Sequence, residues 1–475
     1  MSIVYKNATL SPGKIDMVTG WIQHQRWYAG KGHVPTLHRV GGYRFDDPAG
    51  EVGLETLLLA DTATSPPVVY QVPLTYRSAP LEGGEGALLG TMEHSVLGTR
   101  WVYDAPHDPV YPAVLVRTIL AGEASEDAQA GSGSNARAVG TPTGVERSTV
   151  SSSAVLSGEQ SNTSIICHLD DGEGNPAPPI IVKVFRTLQH GDNPDVIVQA
   201  ALTRAGSDRV PAVLGHLAGS WDAPGGRGSE YGHFAFAQEF IPGVEDAWRV
   251  ALVAAATGTD FTDRARELGS VTAQIHATLL EALGSEDATS ETRGRLVASM
   301  RERYAAAVAA APALAAHEAD VTRLLESVGH VRLPALQRIH GDYHLGQVLD
   351  VPERGWVALD FEGEPLRPLA ERVLPDLTQR DIAGMLRSFD YAAGSVHLAD
   401  PTIDATAWAV DSRRAFLDGY AAVAGEPDPD STTLTKVLEL DKALYEVVYE
   451  ARNRPTWLPI PLGAIDRLLD EEGAP

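Results

Sequence analysis

The distribution of apolar residues changes at Pro242 and Gly243, and this change limits the possible fold more than any other feature of the chain. Before it, apolar residues occur in short runs, as over residues 68–72 and 234–240, which is typical of strands. After it, apolar residues recur at intervals of three and four, as over residues 262–283, which predicts helices. Strands followed by helices predict an α+β fold with two lobes. Further strands are predicted at residues 55–59, 74–76 and 356–359, and further helices at residues 293–310, 376–391, 407–424 and 432–450.

The length of 475 residues exceeds what one hydrophobic core supports, so we expect more than one domain. We predict a small α+β unit at residues 1–90, a β-rich part at residues 91–243 and a helical part at residues 244–475. Residues 121–149 are rich in Gly, Ser, Ala, Glu and Asp, a composition that cannot bury a core, and we interpret them as a flexible insertion. The single cysteine, Cys167, lies in an apolar run and is predicted to be buried.

The formal charge of the chain is −25, from 38 Lys and Arg residues against 63 Asp and Glu residues. Such a surface repels nucleic acid and anionic lipid, so we expect no nucleic acid partner and no membrane. No apolar run approaches the about 18 residues that a membrane helix needs. Since the first residues also lack the pattern of a secretion signal, the sequence predicts a cytoplasmic protein.

The stretch from Arg338 to Gln347, Arg-Ile-His-Gly-Asp-Tyr-His-Leu-Gly-Gln, offers the clearest chemistry of the chain. Asp342 lies in a Gly-Asp turn, and the predicted strand at residues 356–359 brings Asp360 to its end. Phosphoryl transfer from a nucleotide needs a carboxylate near the acceptor hydroxyl and oxygen ligands for Mg²⁺. We therefore predict Asp342 as the catalytic base and Gln347 and Asp360 as metal ligands.

Two other interpretations of this stretch stay open at the level of sequence. His340, Asp342 and His344 alternate, and in an extended segment they would share one face, as the ligands of a Zn²⁺ or Fe hydrolase do. The other histidines are scattered singly, which disfavours such a site. The second alternative, a buried histidine beside a capping Asp, leaves Gln347 and Asp360 without a role.

Residues 152–167 are predicted to form a strand, a small polar turn and a second strand. The turn holds Ser157, Gly158 and Ser161, and the next predicted strand carries Lys183. Small hydroxyl residues let backbone N–H groups approach a phosphate, and a lysine on the adjoining strand supplies a positive charge. We predict that these residues bind a nucleotide, although a plain hairpin and a solvent-facing lysine would give the same pattern.

The predicted helix at residues 432–450 holds Tyr445, Glu446, Tyr449 and Glu450 close together near its end. Rings that stack on pyranose faces and acids that accept hydroxyl protons are typical of carbohydrate sites. We predict these four residues as part of a sugar site. A helix that packs through its tyrosines, with the glutamates in solvent, is the alternative.

Several longer motifs are distributed over most of the chain. They are Gln25-Arg-Trp-Tyr-Ala-Gly30, Ser157-Gly-Glu-Gln-Ser-Asn-Thr-Ser164, His340-Gly-Asp-Tyr-His-Leu-Gly-Gln347, Asp360-Phe-Glu-Gly-Glu-Pro365, Arg380-Asp-Ile-Ala-Gly-Met-Leu-Arg-Ser-Phe-Asp-Tyr391, Tyr449-Glu-Ala-Arg-Asn-Arg-Pro455 and Trp457-Leu-Pro. Together these motifs resemble those of the actinobacterial maltokinases and glucosamine kinases, within the aminoglycoside phosphotransferase-like kinases. The first of them resembles the opening of that family's N-terminal cap domain.

The resemblance implies a bilobal, protein-kinase-like fold with a cap domain, with ATP between the lobes and Mg²⁺ as cofactor. It implies that Lys183 contacts the nucleotide phosphates, and that adenine lies against the backbone near Gln238, Glu239 and Phe240. In Asn193-Pro-Asp-Val-Ile-Val, Asp195 lies where the family's pattern commonly continues with a Glu, and here Ile197 follows instead. The acidic partner of Lys183 therefore stays open.

The family resemblance implies a sugar kinase but leaves the acceptor open between glucosamine and maltose. Ile197, Thr456 and the insertion at residues 121–149 depart from the maltokinase pattern, so we predict D-glucosamine and the product glucosamine 6-phosphate. Maltose, which would give maltose 1-phosphate, is the alternative. A sensor that binds a nucleotide or a sugar without catalysis is a remote one.

The two acceptors need different side chains. A glucosamine ammonium needs a carboxylate, for which the candidates are Asp342, Asp390, Glu446 and Glu450. Maltose needs a second stacking ring, for which the candidates are Trp457, Trp27 and Tyr28. For the aromatic cluster of residues 1–90, however, the sequence favours packing in the core of that unit over a sugar site. We also assign His344 to the sugar site.

Overall fold

The computed structural model describes residues 8–127, 136–144, 148–156, 161–226, 228–364 and 367–470. Its contacts divide the chain into two compact units. The first comprises Met1–Ala200 and Ala212–Pro242, and the second comprises Ala201–Pro211 and Gly243–Pro475. Strands predominate in the first unit and helices in the second, as the change at Pro242 predicts.

The described part of the first unit contains two antiparallel sheets. Its strands are β1 (Leu10–Ser11), β2 (Leu37–Phe45), β3 (Gly53–Asp61), β4 (Val68–Arg77), β5 (Leu88–His94), β6 (Gly98–Asp104), β7 (Glu126–Asp127), β8 (Ala138–Pro142), β9 (Thr149–Val155), β10 (Asn162–Asp170), β11 (Pro176–Phe185), β12 (Thr187–Leu188), β13 (Val213–Asp222) and β14 (Ser229–Glu239). Its helices are α1 (Lys14–Ile22), α2 (Val110–Ala121) and most of α3 (Pro194–Arg204). The first sheet has the order β1-β5-β6-β4-β3-β2-β7, with β12 paired to β4, and the second has the order β8-β13-β14-β11-β10-β9.

Both faces of the first sheet are covered. Successive side chains of its central strand β3 point to opposite sides and enter two different hydrophobic clusters. Leu57 and Leu59 belong to a hydrophobic cluster with residues of α1. Leu54 and Leu58 belong to another cluster, which includes α2 and the second sheet. The two sheets of the first unit therefore share one core around α2.

Strand β3 confirms the strand predicted at residues 55–59, but the strands predicted at residues 68–72 and 74–76 are one strand, β4. The prediction divided them at Pro73 because proline has no N–H to donate within a sheet. Pro73 pairs with Thr56 of β3 on one side. On its other side it falls between the residues that pair with β12 and those that pair with β6, so no described strand needs its missing N–H.

The interpretation of residues 121–149 as an insertion without core residues is wrong for part of this stretch. Strand β8 is an edge strand of the second sheet and pairs with β13. Ala136 and Ala138 are fully buried in the core that contains α2. At Gly140 a Cβ would lie 2.1 Å from the carbonyl oxygen of Thr118 on α2. The small residues thus permit close contact between strand and helix.

The helices of the second unit are α4 (Ala247–Thr257), α5 (Thr262–Leu283), α6 (Ser290–Ala310), α7 (Glu318–Ser327), α8 (Leu369–Arg372), α9 (Gln379–Ala399), α10 (Thr406–Ala424), α11 (Pro429–Asn453) and α12 (Pro459–Asp470). Its strands are β15 (Glu245–Asp246), β16 (Ser285–Glu286), β17 (Leu336–Gln337), β18 (Val348–Val351) and β19 (Gly355–Ala358), which pair as β15-β18-β19 and β16-β17. Helices α6, α7, α9, α11 and α12 contribute to one hydrophobic core.

The helices predicted from apolar spacing are confirmed in this unit. Helix α5 has the predicted bounds, and the predictions at residues 293–310, 407–424 and 432–450 fall within α6, α10 and α11. The helix predicted at residues 376–391 begins three residues later and continues to Ala399. Among the described helices, none is long and apolar enough to cross a membrane. In the first unit, Cys167 is buried, as predicted.

Candidate active site

The loop after β17 carries Asp342 and is fixed by Asp381, a buried residue of α9. The carboxylate of Asp381 accepts hydrogen bonds from the backbone N–H groups of His340 and Gly341, each at 2.8 Å. His276 on α5 donates to the same carboxylate from Nε2 at 3.0 Å. Burial alone would raise the pKa of Asp381, but the contacts with His276 outweigh it and the pKa is lowered. An ionised buried carboxylate therefore anchors the loop.

Both ring nitrogens of His340 are engaged with the backbone. Nδ1 accepts a hydrogen bond from the N–H of Asp342 at 3.4 Å, and Nε2 donates to the carbonyl oxygen of Leu359 at 2.9 Å. His344 accepts a hydrogen bond at Nδ1 from the N–H of Gly346 at 3.0 Å, and burial lowers the pKa of His344. A metal ligand needs a free ring nitrogen, so a Zn²⁺ or Fe site with His340 would require these backbone bonds to break. The geometry favours a structural role for His340.

Gln347 and Asp360 lie next to each other. Gln347 ends a short 3-10 turn, and its Nε2 donates to Oδ2 of Asp360 at 3.1 Å. Asp360 follows β19 and has a φ of +67°, a conformation that residues other than glycine adopt rarely. Among the described residues, none donates a hydrogen bond to Oε1 of Gln347, so this oxygen is left for another partner. Amide and carboxylate oxygens are typical ligands of Mg²⁺, so this pair fits the ion.

Lys442 on α11 contacts Asp342, an interaction that the sequence did not predict. Its Nζ lies 3.1 Å from Oδ1 of Asp342 and 3.3 Å from Oε1 of Glu364. The ammonium also lies 4.9 Å from the ring centroid of Tyr445. Within the described part of the chain, Oδ2 of Asp342 accepts no hydrogen bond. It is therefore the carboxylate oxygen that a ligand can reach.

These side chains line a cavity of about 10 Å³, roughly the space of one water molecule. The cavity is lined by Arg303, Gly341, Asp342, Tyr343, Glu364, Arg380, Gly384, Leu438, Asp441 and Lys442. Three of these residues are acidic and three are basic. Asp441 lies 3.3 Å from Arg303 and 3.4 Å from Arg380, which completes the pairing begun by Lys442. The formal charges around the cavity therefore balance.

The charges balance because neighbouring residues of opposite charge keep Glu364 and Lys442 ionised, as their pKa values show. Burial alone would raise the pKa of Glu364, but Lys442, Arg303 and Arg367 outweigh it and lower the pKa to about 2. Burial alone would lower the pKa of Lys442, but Asp342 and Glu364 outweigh it and raise the pKa. Glu364 and Lys442 are thus both charged at neutral pH. A ligand meets a network of ion pairs here.

Three carboxylates predicted for the sugar site are engaged elsewhere in the second unit. Of the described residues that line the cavity, none is Asp390, Glu446 or Glu450. Their partners are Arg387, Arg413 and Arg467 for Asp390, Arg387 for Glu446, and Tyr391 and Arg454 for Glu450. The structure instead brings Glu364 and Asp441 to the cavity that holds Asp342.

The aromatic residues predicted for the sugar site lie close to one another in the second unit, because Arg454 contacts the rings of both Tyr449 and Trp457. Tyr445 and Tyr449 stack with their ring centroids 6.4 Å apart, and Tyr445 also contacts Lys442. Trp457 stacks on Tyr391 at 6.3 Å. Of the predicted rings, Tyr445 is thus brought near Asp342 through Lys442.

Trp27 and Tyr28, the candidates in the first unit for rings that stack on maltose, are buried in the core of the first sheet. Tyr28 donates from its hydroxyl to Asp61 at 2.9 Å, and Trp27 lies 5.9 Å from the ring of Tyr70. Neither ring is exposed to a ligand. Packing in the core, which the sequence favours for these aromatic residues, is confirmed, so neither ring is available to stack on maltose.

In the first unit, Lys183 on β11 is buried and forms an ion pair with Asp195 on α3 at 2.9 Å. Gln199 donates to the other carboxylate oxygen of Asp195, and the N–H of Asp195 donates to the side chain of Asn193 at 2.9 Å. Asp195 is therefore an acidic partner of Lys183, which the sequence had left open.

The residues predicted to contact adenine form the end of β14 and the residue after it. The N–H of Phe240 donates to the carbonyl oxygen of Pro179 at 3.0 Å, and that of Glu239 to the carbonyl oxygen of Ala212 at 2.8 Å. The side chain of Gln238 is buried. Ser161 is exposed, whereas Ser157 and Gly158 lie outside the described residues. The nucleotide contacts of these residues stay predictions.

The fold is that of known sugar kinases. A glucosamine kinase in complex with glucosamine, ADP and inorganic phosphate superimposes with a TM-score of 0.66 at 21% identity, over 96% of this chain and 99% of that chain. A second structure of a glucosamine kinase, in crystal form B, gives a TM-score of 0.67 at 22% identity, over 97% and 100% of the two chains. The predicted fold class is confirmed.

Sequence comparisons identify more particular relatives. Residues 21–108 match the family model of the maltokinase N-terminal cap domain. The chain is 29% identical to a glucosamine kinase of Streptacidiphilus jiangxiensis over 293 residues, which are 57% of this chain and 64% of the relative. It is also 29% identical to a glucosamine kinase of Mycolicibacterium smegmatis over 249 residues, 49% of this chain and 62% of the relative. The chain thus spans less than two thirds of the length of each, and the resemblance inferred from the motifs is confirmed.

Proposed function

We propose that this protein transfers the γ-phosphate of ATP to a sugar hydroxyl, with D-glucosamine as acceptor and glucosamine 6-phosphate as product. The observation that carries the proposal is the position of Asp342, on an anchored loop with Oδ1 paired to Lys442 and Oδ2 without a hydrogen bond from the described residues. A fixed carboxylate with one available oxygen suits a general base. The similarity to glucosamine kinases in sequence and fold supports the choice of acceptor.

In the proposed reaction, the sugar hydroxyl donates a hydrogen bond to Oδ2 of Asp342. As the hydroxyl oxygen bonds to the γ-phosphorus, the bond to the β-phosphate oxygen breaks, the proton moves to Asp342 and ADP leaves. Lys442 restrains the carboxylate through Oδ1. Orientation of this kind supplies much of the catalysis of phosphoryl transfer, since little covalent chemistry is asked of the protein.

We assign Gln347 and Asp360 to a Mg²⁺ ion, because their side chains are adjacent and offer oxygen ligands. When bound, Mg²⁺ neutralises charge on the nucleotide phosphates. EDTA should abolish turnover, and added Mg²⁺ should restore it. Turnover that persists in EDTA would contradict the assignment.

Lys183 is assigned to the nucleotide phosphates, and the backbone of residues 238–240 to adenine. Lys183 is buried near the end of β11 and held by Asp195, so its charge has a defined position. The net charge of −25 supports small-molecule partners, namely ATP and a free sugar, in preference to nucleic acid or a membrane. We place the enzyme in the cytoplasm.

Maltose, phosphorylated to maltose 1-phosphate, is the second candidate acceptor. Two observations favour it. Residues 21–108 match the maltokinase cap domain, and the acidic and basic residues of the cavity balance. A balanced cavity provides no surplus negative charge for the ammonium of glucosamine.

The acceptor is tested by incubating the protein with ATP, Mg²⁺ and one sugar at a time, and by locating the phosphate with ³¹P–¹H NMR. We expect glucosamine to be phosphorylated at O6 and glucose to be a much poorer acceptor. Preferential formation of maltose 1-phosphate would replace glucosamine by maltose and leave the kinase assignment intact. No consumption of ATP with any sugar would contradict the kinase assignment itself.

A further inference from the structure

Arg186 lies directly after β11, three residues beyond Lys183, and is fully buried. Its Nη2 donates to Asp104 at 2.6 Å, and its Nε donates to Oγ1 of Thr163 at 2.7 Å. The guanidinium carbon also lies 4.9 Å from the centroid of the Trp27 ring. Trp27 and Asp104 belong to the segment that matches the cap domain, whereas Thr163 belongs to β10. One side chain thus joins the cap segment to two strands of the second sheet.

Gln71 on β4 makes a second connection between the same parts of the first unit. Its backbone N–H donates to the carbonyl oxygen of Arg186 at 2.9 Å. Its side-chain Nε2 donates to the carbonyl oxygens of Phe185 and Phe234, both at 2.8 Å, and its Oε1 accepts from the hydroxyl of Tyr43, also at 2.8 Å. The residue is completely buried. The first sheet therefore holds the backbone at the end of β11 directly.

The chemistry of this contact exceeds what packing alone requires. A buried guanidinium costs free energy unless its charge is paired, and a buried ion pair adds little stability compared with a well-packed apolar residue. A guanidinium does, however, direct its donors rigidly to fixed acceptors. Asp104 and Thr163 therefore fix the position of Arg186, and with it the end of the strand that carries Lys183. Thr163 also lies two residues after Ser161, in the segment predicted to contact phosphate.

We propose that Arg186 and Gln71 are positioning residues, through which the N-terminal sheet holds β10 and β11 so that Lys183 meets the nucleotide phosphates. The proposal rests on the role of Lys183 in the proposed function. It gives the cap segment a task in nucleotide binding without a ligand site of its own. It also gives Trp27, within the motif Gln25-Arg-Trp-Tyr-Ala-Gly30, a defined contact in this arrangement.

The experiment compares full-length variants by the Kd for ADP from calorimetry, by the KM values for ATP and for the sugar, and by Tm. Thr163→Val removes one acceptor from Arg186 at nearly constant shape, and Arg186→Met removes the whole cluster. Met92→Ala is the matched control, because Met92 is buried in the core of the first sheet on β5, which β6 separates from the strand of Gln71. Lys183→Met is the reference for loss of the phosphate contact.

We expect Arg186→Met to raise the Kd for ADP and the KM for ATP by about ten- to a hundredfold, because small displacements of a positioned group have effects of this size. Thr163→Val should raise both less, Arg186→Lys should recover part of the loss, and the KM for the sugar should not change. Met92→Ala should lower Tm but leave nucleotide affinity unchanged.

Three results would overturn the proposal. If Met92→Ala weakens ADP binding as much as Arg186→Met at a similar Tm, the effect belongs to general stability. If Lys183→Met weakens nucleotide binding but Arg186→Met and Thr163→Val do not, the positioning role alone fails. If Lys183→Met itself has no effect, the assignment of Lys183 in the proposed function fails and the positioning role fails with it. Should Arg186→Met not fold, Thr163→Val and Arg186→Lys decide.

Discussion

Lys183 and Asp342, the two side chains assigned to the opposite partners of the reaction, are held in different ways. Lys183 extends from a strand and pairs with Asp195, which Gln199 holds in turn. Asp342 lies on a loop and belongs to a network of six charged residues that line one cavity, contributed partly by α6, α9 and α11. The first arrangement is a single ion pair with one supporting residue, and the second is a network of ion pairs.

The difference predicts what each arrangement controls. The single ion pair sets the position of one charge, so its loss should change the affinity for one ligand. A network sets the sum of several charges, so damage to it should change stability and the kind of acceptor that the cavity prefers. Substitutions in the two regions can test this contrast.

The largest effect is expected for Asp342→Asn, which keeps the shape of the side chain but removes the base. Turnover should fall by about a hundred- to ten-thousandfold, the range for positioned general bases. The measurement is kcat with ATP and the acceptor sugar, with circular dichroism as the test of folding. Asp263→Asn, an exposed position on α5, is the control and should leave kcat unchanged. Near-normal kcat in the folded Asp342→Asn protein would contradict the assignment.

Glu364→Gln tests how much the network stabilises the fold. The pKa of Glu364 is lowered from 4.5 to about 2, so its ionised form contributes up to about 3 kcal/mol at neutral pH. Because the folded-state pKa is the lower one, this contribution is complete above about pH 4.5 and is lost as the pH falls towards 2.

Urea unfolding of Glu364→Gln and of the unchanged protein should therefore differ most at neutral pH, and the difference should shrink below about pH 4.5. Glu302→Gln, at an exposed position of α6, is the control and should show no such trend. A difference that is constant from neutral to acidic pH would show that Glu364 acts by packing alone.

Lys442→Met should change acceptor preference, because it removes one positive charge from a balanced cavity. The ratio of kcat/KM for glucosamine to that for maltose should rise about tenfold, the lower end of what a charge-assisted hydrogen bond contributes. Lys442→Arg should keep the original ratio, and so should Lys436→Met on the same helix. An unchanged ratio in Lys442→Met would mean that the charge of the network does not select the acceptor.

The smallest effect is expected for Asp195→Asn, because Lys183 keeps its own charge. The KM for ATP should rise about two- to tenfold, as expected for the loss of an interaction of about 0.5–1.4 kcal/mol, while the KM for the sugar stays the same. Asp192→Asn, an exposed position just before α3, serves as the control. An equal rise in both KM values would contradict the distinction between the single ion pair and the network.

Apolar periodicity predicted the helices of the second unit well, because each of them buries one face. Helices α6, α9 and α11 do so in one core, and α5 and α10 pack closely on each other. Predictions from residue type failed where the tertiary structure outweighs the usual preference of a residue, as at Pro73 and in β8. Pro73 signals the end of a strand, yet β4 continues through it where no described neighbour needs the missing N–H. The alanines and glycine near β8 signal flexibility, yet they let a strand pack closely on α2.

The site was predictable only where the motif itself brings the residues together. Gln347 and Asp360 meet because they flank the hairpin of β18 and β19, of which the sequence predicts the second strand. Lys442 and Arg303 could not be assigned, since α11 and α6 meet Asp342 only through tertiary packing. One signal was present, because Lys442 lies three residues before Tyr445 and so shares a face of α11 with it. Asp390, Glu446 and Glu450 looked like free acids because nothing in the sequence shows their arginine partners.

Because β3 is buried on both faces, the N-terminal sheet cannot be deleted without exposing part of the remaining core. Leu57 and Leu59 would leave with their own partners on α1, but the loss of Leu54 and Leu58 would uncover apolar residues of α2 and the second sheet. A shorter protein of this fold cannot arise by simple deletion of the segment. Such a protein would also need polar residues on the face of α2 that is buried here, in place of Leu115 and Ile119 among others.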